Sequence, residues 1–99
     1  MLQKKFTPKR TVCRVTFKVP RDWAEQEVSV VGDFNDWDPE ANKMEKKDGQ
    51  WETLLRLKPN REYKFKYLLD GEDWQNDNDA DDYTSNPFGT KDSVLKIGE

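Results

Sequence analysis

Three stretches of this chain alternate so strictly that only extended backbone suits them. Cys13, Val15, Phe17 and Val19 take turns with Arg14, Thr16 and Lys18. Trp51, Thr53, Leu55 and Leu57 alternate with Glu52, Leu54 and Arg56, and Tyr63, Phe65, Tyr67 and Leu69 with Lys64, Lys66 and Leu68. A period of two sends successive side chains to opposite faces of a strand, so each stretch reads as a half-buried strand. Pro20, Asp48-Gly49, Pro59-Asn60 and Asp70-Gly71 supply the turns between them. Further short strands are expected at residues 28–31 and around Val94, Leu95 and Ile97. No stretch carries a useful helical period. Short strands at roughly ten-residue spacing imply an all-β antiparallel sandwich.

Ninety-nine residues suffice for one domain with a modest core. Residues 1–99 are read as that domain, with residues 1–10 as a flexible arm. At 37% charged and 33% hydrophobic the composition leans toward disorder, but four Trp, three Tyr and five Phe oppose this. The single Cys13 excludes an internal disulfide and reads as a buried, inert thiol. The absence of His removes the commonest general base and zinc ligand. The opening MLQKKFTPKR has no apolar run behind it, and no segment approaches the ~18 apolar residues of a membrane span, so a cytoplasmic chain is expected. Residues 1–21 hold seven Lys/Arg and no acid, and residues 70–82 hold seven Asp/Glu and no base. These read as two solvated stretches of opposite sign.

The segment 28–39 is the most informative about function. Val28, Val30 and Val31 open it as a strand, and Gly32, Asn35, Asp36 and Pro39 then break the pattern. Phe34 and Trp37 sit inside this polar turn. A Trp there is either folded back as a plug or held out as a contact surface. Residues 21–27 are a polar connection with room for one helical turn, and residues 41–47 are polar around Met44. Residues 73–87 read as a long polar loop carrying Trp74 and Tyr83; loops of that length are often functional.

Five motifs in register carry a family resemblance. They are Asp33-Phe34-Asn35-Asp36-Trp37; Asp48-Gly49-Gln50-Trp51; Lys66 ahead of Leu69-Asp70-Gly71; Trp74; and Asn86-Pro87-Phe88-Gly89-Thr90 followed by Ser93-Val94-Leu95. Across residues 11–97 the chain resembles family 48 carbohydrate-binding modules, the early-set immunoglobulin-like domains of isoamylases and glycogen-branching enzymes. Similar domains occur in the AMP-activated kinase β subunit and in short stand-alone bacterial proteins. The resemblance implies an immunoglobulin-like β-sandwich that binds α-1,4-linked glucan. It implies that Trp37 and Trp74 stack on glucose rings, that Lys66 and Thr90 contact hydroxyls, and that Phe88 inserts beside the glucan. Members with tight glucan binding carry Asn where Asp92 stands here; Asp keeps the acceptors and lacks the amide donor.

The residue types fit that chemistry. A glucan offers apolar C–H faces and a rim of hydroxyls, which call for flat aromatic surfaces and a few polar groups. If Phe65, Tyr67 and Leu69 face the core, Lys66 faces out. Trp51 begins an alternating strand and is expected in the core. Binding without catalysis is expected, with no cofactor, because no apolar stretch among the acids at residues 70–82 would raise one carboxyl's pKa. Asp77, Asp79 and Asp81 have the spacing of a calcium loop, but Asp82 stands where Gly belongs and Phe88 where Glu belongs. Lys64-Phe65-Lys66-Tyr67 interleaves base and aromatic, yet net charge −3 opposes nucleic acid. Expected partners are glycogen or maltooligosaccharide and a glucan-metabolising enzyme, with no nucleic acid or membrane, and the chain as a monomer. The alternative is a protein-interaction module of the same fold, docking through Phe88 and the basic N-terminal face.

Overall fold

The computed structural model describes residues 2–9 and 11–98. In chain order the strands are β1 (Leu2–Phe6), β2 (Cys13–Pro20), β3 (Val28–Gly32), β4 (Glu45–Lys47), β5 (Gln50–Leu57), β6 (Arg61–Leu69), β7 (Asp73–Gln75), β8 (Asp82–Ser85) and β9 (Lys91–Ile97). They form two antiparallel sheets, one in the order β1-β2-β5-β4 and one in the order β3-β6-β9-β8, with β7 added to β6. This is the antiparallel sandwich that the alternation predicts. Among the described residues the only helices are single 3-10 turns at Arg21–Trp23 and Asp33–Asn35, and none is long and apolar enough to cross a membrane.

The core lies between the sheets and is built by strand parity. Cys13, Val15, Phe17 and Val19 of β2 are fully buried, as are Phe65 and Tyr67 of β6. Val28 and Val30 of β3 stand opposite Leu69 and Tyr67, and Leu95 of β9 stands opposite Tyr63. Phe17 meets Phe65 across the interior, ring centroids 5.4 Å apart and edge to face, an arrangement that aromatic quadrupoles favour. Trp51 is buried as expected, its Nε1 donating to the Arg21 carbonyl at 3.3 Å. Trp23 is partly buried, edge-on to Tyr67. Burial pushes the Cys13 thiol above its ordinary pKa.

Several local expectations are corrected. The arm expected at residues 1–10 contains β1, paired with β2 from Leu2↔Phe17 to Phe6↔Cys13. Leu2 and Phe6, at its two ends, pack on the core. Met1 and Arg10, both within the expected arm, lie outside the described residues. The polar segment 41–47 ends in β4, which Asp48-Gly49 folds onto β5. Both turn residues have positive φ, 51° and 80°, as a two-residue primed turn requires. The long loop at residues 73–87 contains β7 and β8. The last strand starts earlier than expected, at Lys91.

Asp70 ties the β6–β7 corner to the segment before β3. Its carboxylate accepts from the backbone N–H groups of Gln26 (2.7 Å), Glu25 (3.1 Å) and Glu27 (3.1 Å), and these bonds hold its pKa below the ordinary value. At the far rim of the same sheet, the amide of Tyr83 on β8 donates to Asp82 Oδ1 at 2.8 Å. Lys96 Nζ stands 3.4 Å from the same carboxylate, whose pKa is lowered by the Tyr83 bond and then by Lys96.

Candidate functional site

The outward face of the β3-β6-β9-β8 sheet carries the site. Lys64 and Lys66 point out from β6 because Tyr63, Phe65 and Tyr67 point in. Leu68 extends this face and stands opposite Trp74 on β7. The β8–β9 connection adds Asn86, Pro87, Phe88 and Thr90, and Asp92 follows on β9. The segment after β3 adds Asp33 and Trp37. Together these residues, except Leu68, line a cleft of about 740 Å³.

Trp37 is placed by a tightly packed corner. Gly32 faces β6 so closely that an added Cβ would lie 2.4 Å from the Lys64 carbonyl oxygen and 2.7 Å from Phe65 Cβ. The following 3-10 turn is held by Asn35, whose Oδ1 accepts from the Gly32 amide at 3.0 Å and whose Nδ2 donates to the Val30 carbonyl at 3.0 Å. Asp36 and Trp37 both have φ of 57°, a left-handed conformation that costs roughly 1–2 kcal/mol per non-glycine residue. The Trp37 amide donates back to the Gly32 carbonyl at 2.9 Å. Its indole Nε1 donates to Asp33 Oδ1 at 2.9 Å.

The two aromatics of this turn therefore divide the alternatives. Phe34 folds back, its ring centroid 5.6 Å from Phe17 and 6.0 Å from Tyr63. Trp37 is half-buried and lines the cleft. Trp74 is 46% exposed, and Phe88 at 89% has almost no protein contact of its own.

The β8–β9 side of the cleft is organised by Asn86. Its Oδ1 accepts from the amides of Phe88 (3.0 Å) and Thr90 (3.2 Å). Its Nδ2 donates to Thr90 Oγ1 (2.7 Å) and Asp92 Oδ1 (3.0 Å). Lys66 Nζ donates to Thr90 Oγ1 at 3.3 Å and lies 4.0 Å from Asp92 Oδ1. The Lys66 side chain is only 13% exposed, so it is packed into the cleft wall and differs from a freely solvated lysine. Two lysines and two aspartates line the cleft, a formal balance that suits an uncharged polyhydroxyl ligand.

All six residues singled out in the sequence (Trp37, Lys66, Trp74, Phe88, Thr90 and Asp92) line this one cleft. Asp33, Lys64, Asn86 and Pro87 line it as well and were not singled out. Strand parity with Lys66 was available as a signal for Lys64; Asp33 lay inside the motif that ends at Trp37, which did not show its role. Asn86 lay inside a motif whose side-chain bonding the sequence does not display.

The acidic stretch beside the cleft is structural where it is buried. Asp77 is 1% exposed. Its Oδ2 accepts from the Tyr67 hydroxyl at 2.6 Å and its Oδ1 from the Asp79 amide at 2.7 Å. Its amide donates to Ser93 Oγ at 2.9 Å, and its carbonyl accepts from the Tyr83 hydroxyl. Burial pushes its carboxyl pKa up, against the Tyr67 and Asp79 bonds that favour the ionised form. Asp81 is engaged by Lys4 and by the Lys96 amide. Among the described residues no cluster of three His, Cys, Asp or Glu side chains could hold a metal ion.

Residues 6–89 match the family model of carbohydrate-binding module 48, the isoamylase N-terminal domain. No curated protein matches the chain.

Proposed function

The chain belongs to the carbohydrate-binding module 48 family, and on that premise we propose that its cleft binds α-1,4-linked glucan of the glycogen or starch type, without catalysis. The observation that carries the reading is that Trp37, Trp74 and Phe88 share one cleft with Lys66, Thr90 and Asp92. The two indoles stack on the C–H faces of glucose units. Lys66 donates to ring hydroxyls, and Thr90 and Asp92 accept from them. Phe88 loses exposed surface when glucan lies beside it.

Magnitudes set the affinity. A ring covering roughly 50–100 Å² of sugar contributes about 1–2.5 kcal/mol at ~25 cal/mol/Å². Ordering of ligand and side chains subtracts from this. Two rings and a few hydrogen bonds give a dissociation constant of roughly 10 μM to 1 mM for a short oligosaccharide. A long polymer repeats the epitope and is retained more strongly. Action as a single monomeric module in the cytoplasm, beside a glucan-metabolising enzyme, belongs to the same proposal.

Titration with maltoheptaose, followed by amide and indole N–H chemical shifts, tests it. Shifts at Trp37, Trp74, Lys66 and residues 88–92 are expected. A spectrum unchanged at several millimolar ligand would overturn it. The second reading, a protein-docking module, then stands on the exposure of Phe88.

A further inference from the structure

We infer that Asp33 is a positioning residue for Trp37: its carboxylate clamps the indole to β6, so that Trp37 meets a ligand with its face and not with its N–H. The inference rests on the cleft being the glucan site. Both carboxylate oxygens are used. Oδ1 accepts from Trp37 Nε1 at 2.9 Å, and Oδ2 accepts from the backbone N–H of Lys64 at 2.8 Å. One short side chain thus joins the indole of a loop to the frame of a central strand.

The surroundings leave the clamp little slack. Gly32, next to Asp33, sits against Lys64 and Phe65 with no room for a Cβ. On the other side, Asp36 and Trp37 are both held at φ 57°, and the Trp37 amide is bonded to Gly32. Strained backbone persists only where the surroundings over-determine it, and here they determine the direction of one ring.

The chemistry at this position follows. Indole has a single donor and no acceptor. With that donor engaged by an ionised group, Trp37 has no hydrogen bond to offer a hydroxyl. Its contribution is stacking, and the adjacent negative charge makes the ring face more attractive to sugar C–H groups, which carry partial positive charge. Hydroxyl recognition is left to Lys66, Thr90 and Asp92, which line the same cleft.

The experiment compares wild type, D33A, D33N and W37F. In ligand-free D33A the Trp37 Nε1–H resonance should move upfield and exchange faster, while the Trp74 resonance stays in place. Maltoheptaose affinity should fall roughly tenfold, the equivalent of one charge-assisted hydrogen bond. D33N keeps one accepting oxygen and should fall between wild type and D33A; it also serves if D33A folds poorly. Phenylalanine has no N–H to clamp, so in a W37F background D33N should change affinity little further. An equal loss in both backgrounds would show direct contact between Asp33 and ligand, and would overturn the positioning role. An unmoved Nε1–H resonance in D33A would overturn it too. The two failures are distinguishable: wild type that ignores maltoheptaose overturns the reading of the cleft, whereas wild type and D33A binding equally well overturns the role of Asp33.

Discussion

The Asn86 amide donates to the Asp92 carboxylate at 3.0 Å, joining the loop that holds Phe88 to the strand beneath the cleft. The same amide group fixes Thr90 Oγ1 and the backbone amides of Phe88 and Thr90. Asn86→Ala removes all four bonds from a partly exposed site. It should lower stability by about 1–2 kcal/mol in urea unfolding and weaken glucan retention as the hairpin tip loosens. Asn86→Asp should weaken retention at least as much, because it sets a second carboxylate against Asp92.

Phe88 separates binding from folding. At 89% exposure its removal costs the fold almost nothing. Phe88→Ala should leave stability within about 0.5 kcal/mol of wild type. Retention on immobilised glycogen should fall several-fold, because the proposed glucan covers this ring; unchanged retention would remove Phe88 from the site.

Gly32 tests the corner beneath Trp37. Gly32→Ala places a methyl 2.4 Å from the Lys64 carbonyl oxygen, so β3 and β6 must move apart. The expected loss is about 1–3 kcal/mol by denaturant unfolding. The Trp37 indole resonance should shift in the protein that still folds.

Asp77 gives stability an acid dependence of unusual sign. Its carboxyl pKa is raised by burial, so the native state holds this proton at pH values where the unfolded chain has released it. Its contribution is fully present below the ordinary carboxylate value of roughly 3.9 and is lost as pH rises through the raised value. Comparison with Asp77→Asn isolates the effect from Asp70 and Asp82, whose lowered pKa values act in the opposite direction. Wild type should gain stability relative to the variant as pH is lowered from 7 toward 4.

Alkali should unfold the domain early. Burial, then the charge of Asp77, lifts the Tyr67 hydroxyl well above its ordinary pKa, and burial lifts the Cys13 thiol. Their neutral forms belong to the fold. That stability is intact below the ordinary values of roughly 8.5 for Cys and 10 for Tyr, and is lost as pH rises beyond them. Tyr67→Phe should reduce the loss above pH about 10, at the cost of leaving Asp77 one donor short.

How much of this was legible in the sequence depends on whether a residue acts through a repeat or through a single bond. Phe17, Phe65 and Tyr67 announced themselves because burial on one face imposes a period of two, and Lys66 followed by parity. β1 was missed because its centre is Gln3-Lys4-Lys5 and only its two ends touch the core. β7 and β8 were missed because their pairing comes from neighbouring strands; all three residues of β7 are exposed. Trp37 and Phe34 looked alike in the sequence; Gly32, the Asn35 bonds and the left-handed backbone at Asp36 and Trp37 separate them. Asp33, Asn86 and Asp77 act through individual side-chain hydrogen bonds, which leave no periodic trace.

The β8 rim has a consequence for how molecules of this protein meet. A strand at the edge of a sheet offers its spare amides to any chain that can pair with them. Here the Tyr83 amide is already taken by Asp82, and Lys96 sits over the same carboxylate. An incoming strand would have to expel an ionised side chain from its bond and then crowd against its charge. The lowered pKa of Asp82 keeps that obstacle in place at neutral pH. One of the edge amides of β8 is thus guarded against pairing, and the guard weakens in strong acid, where protonation would remove the charge.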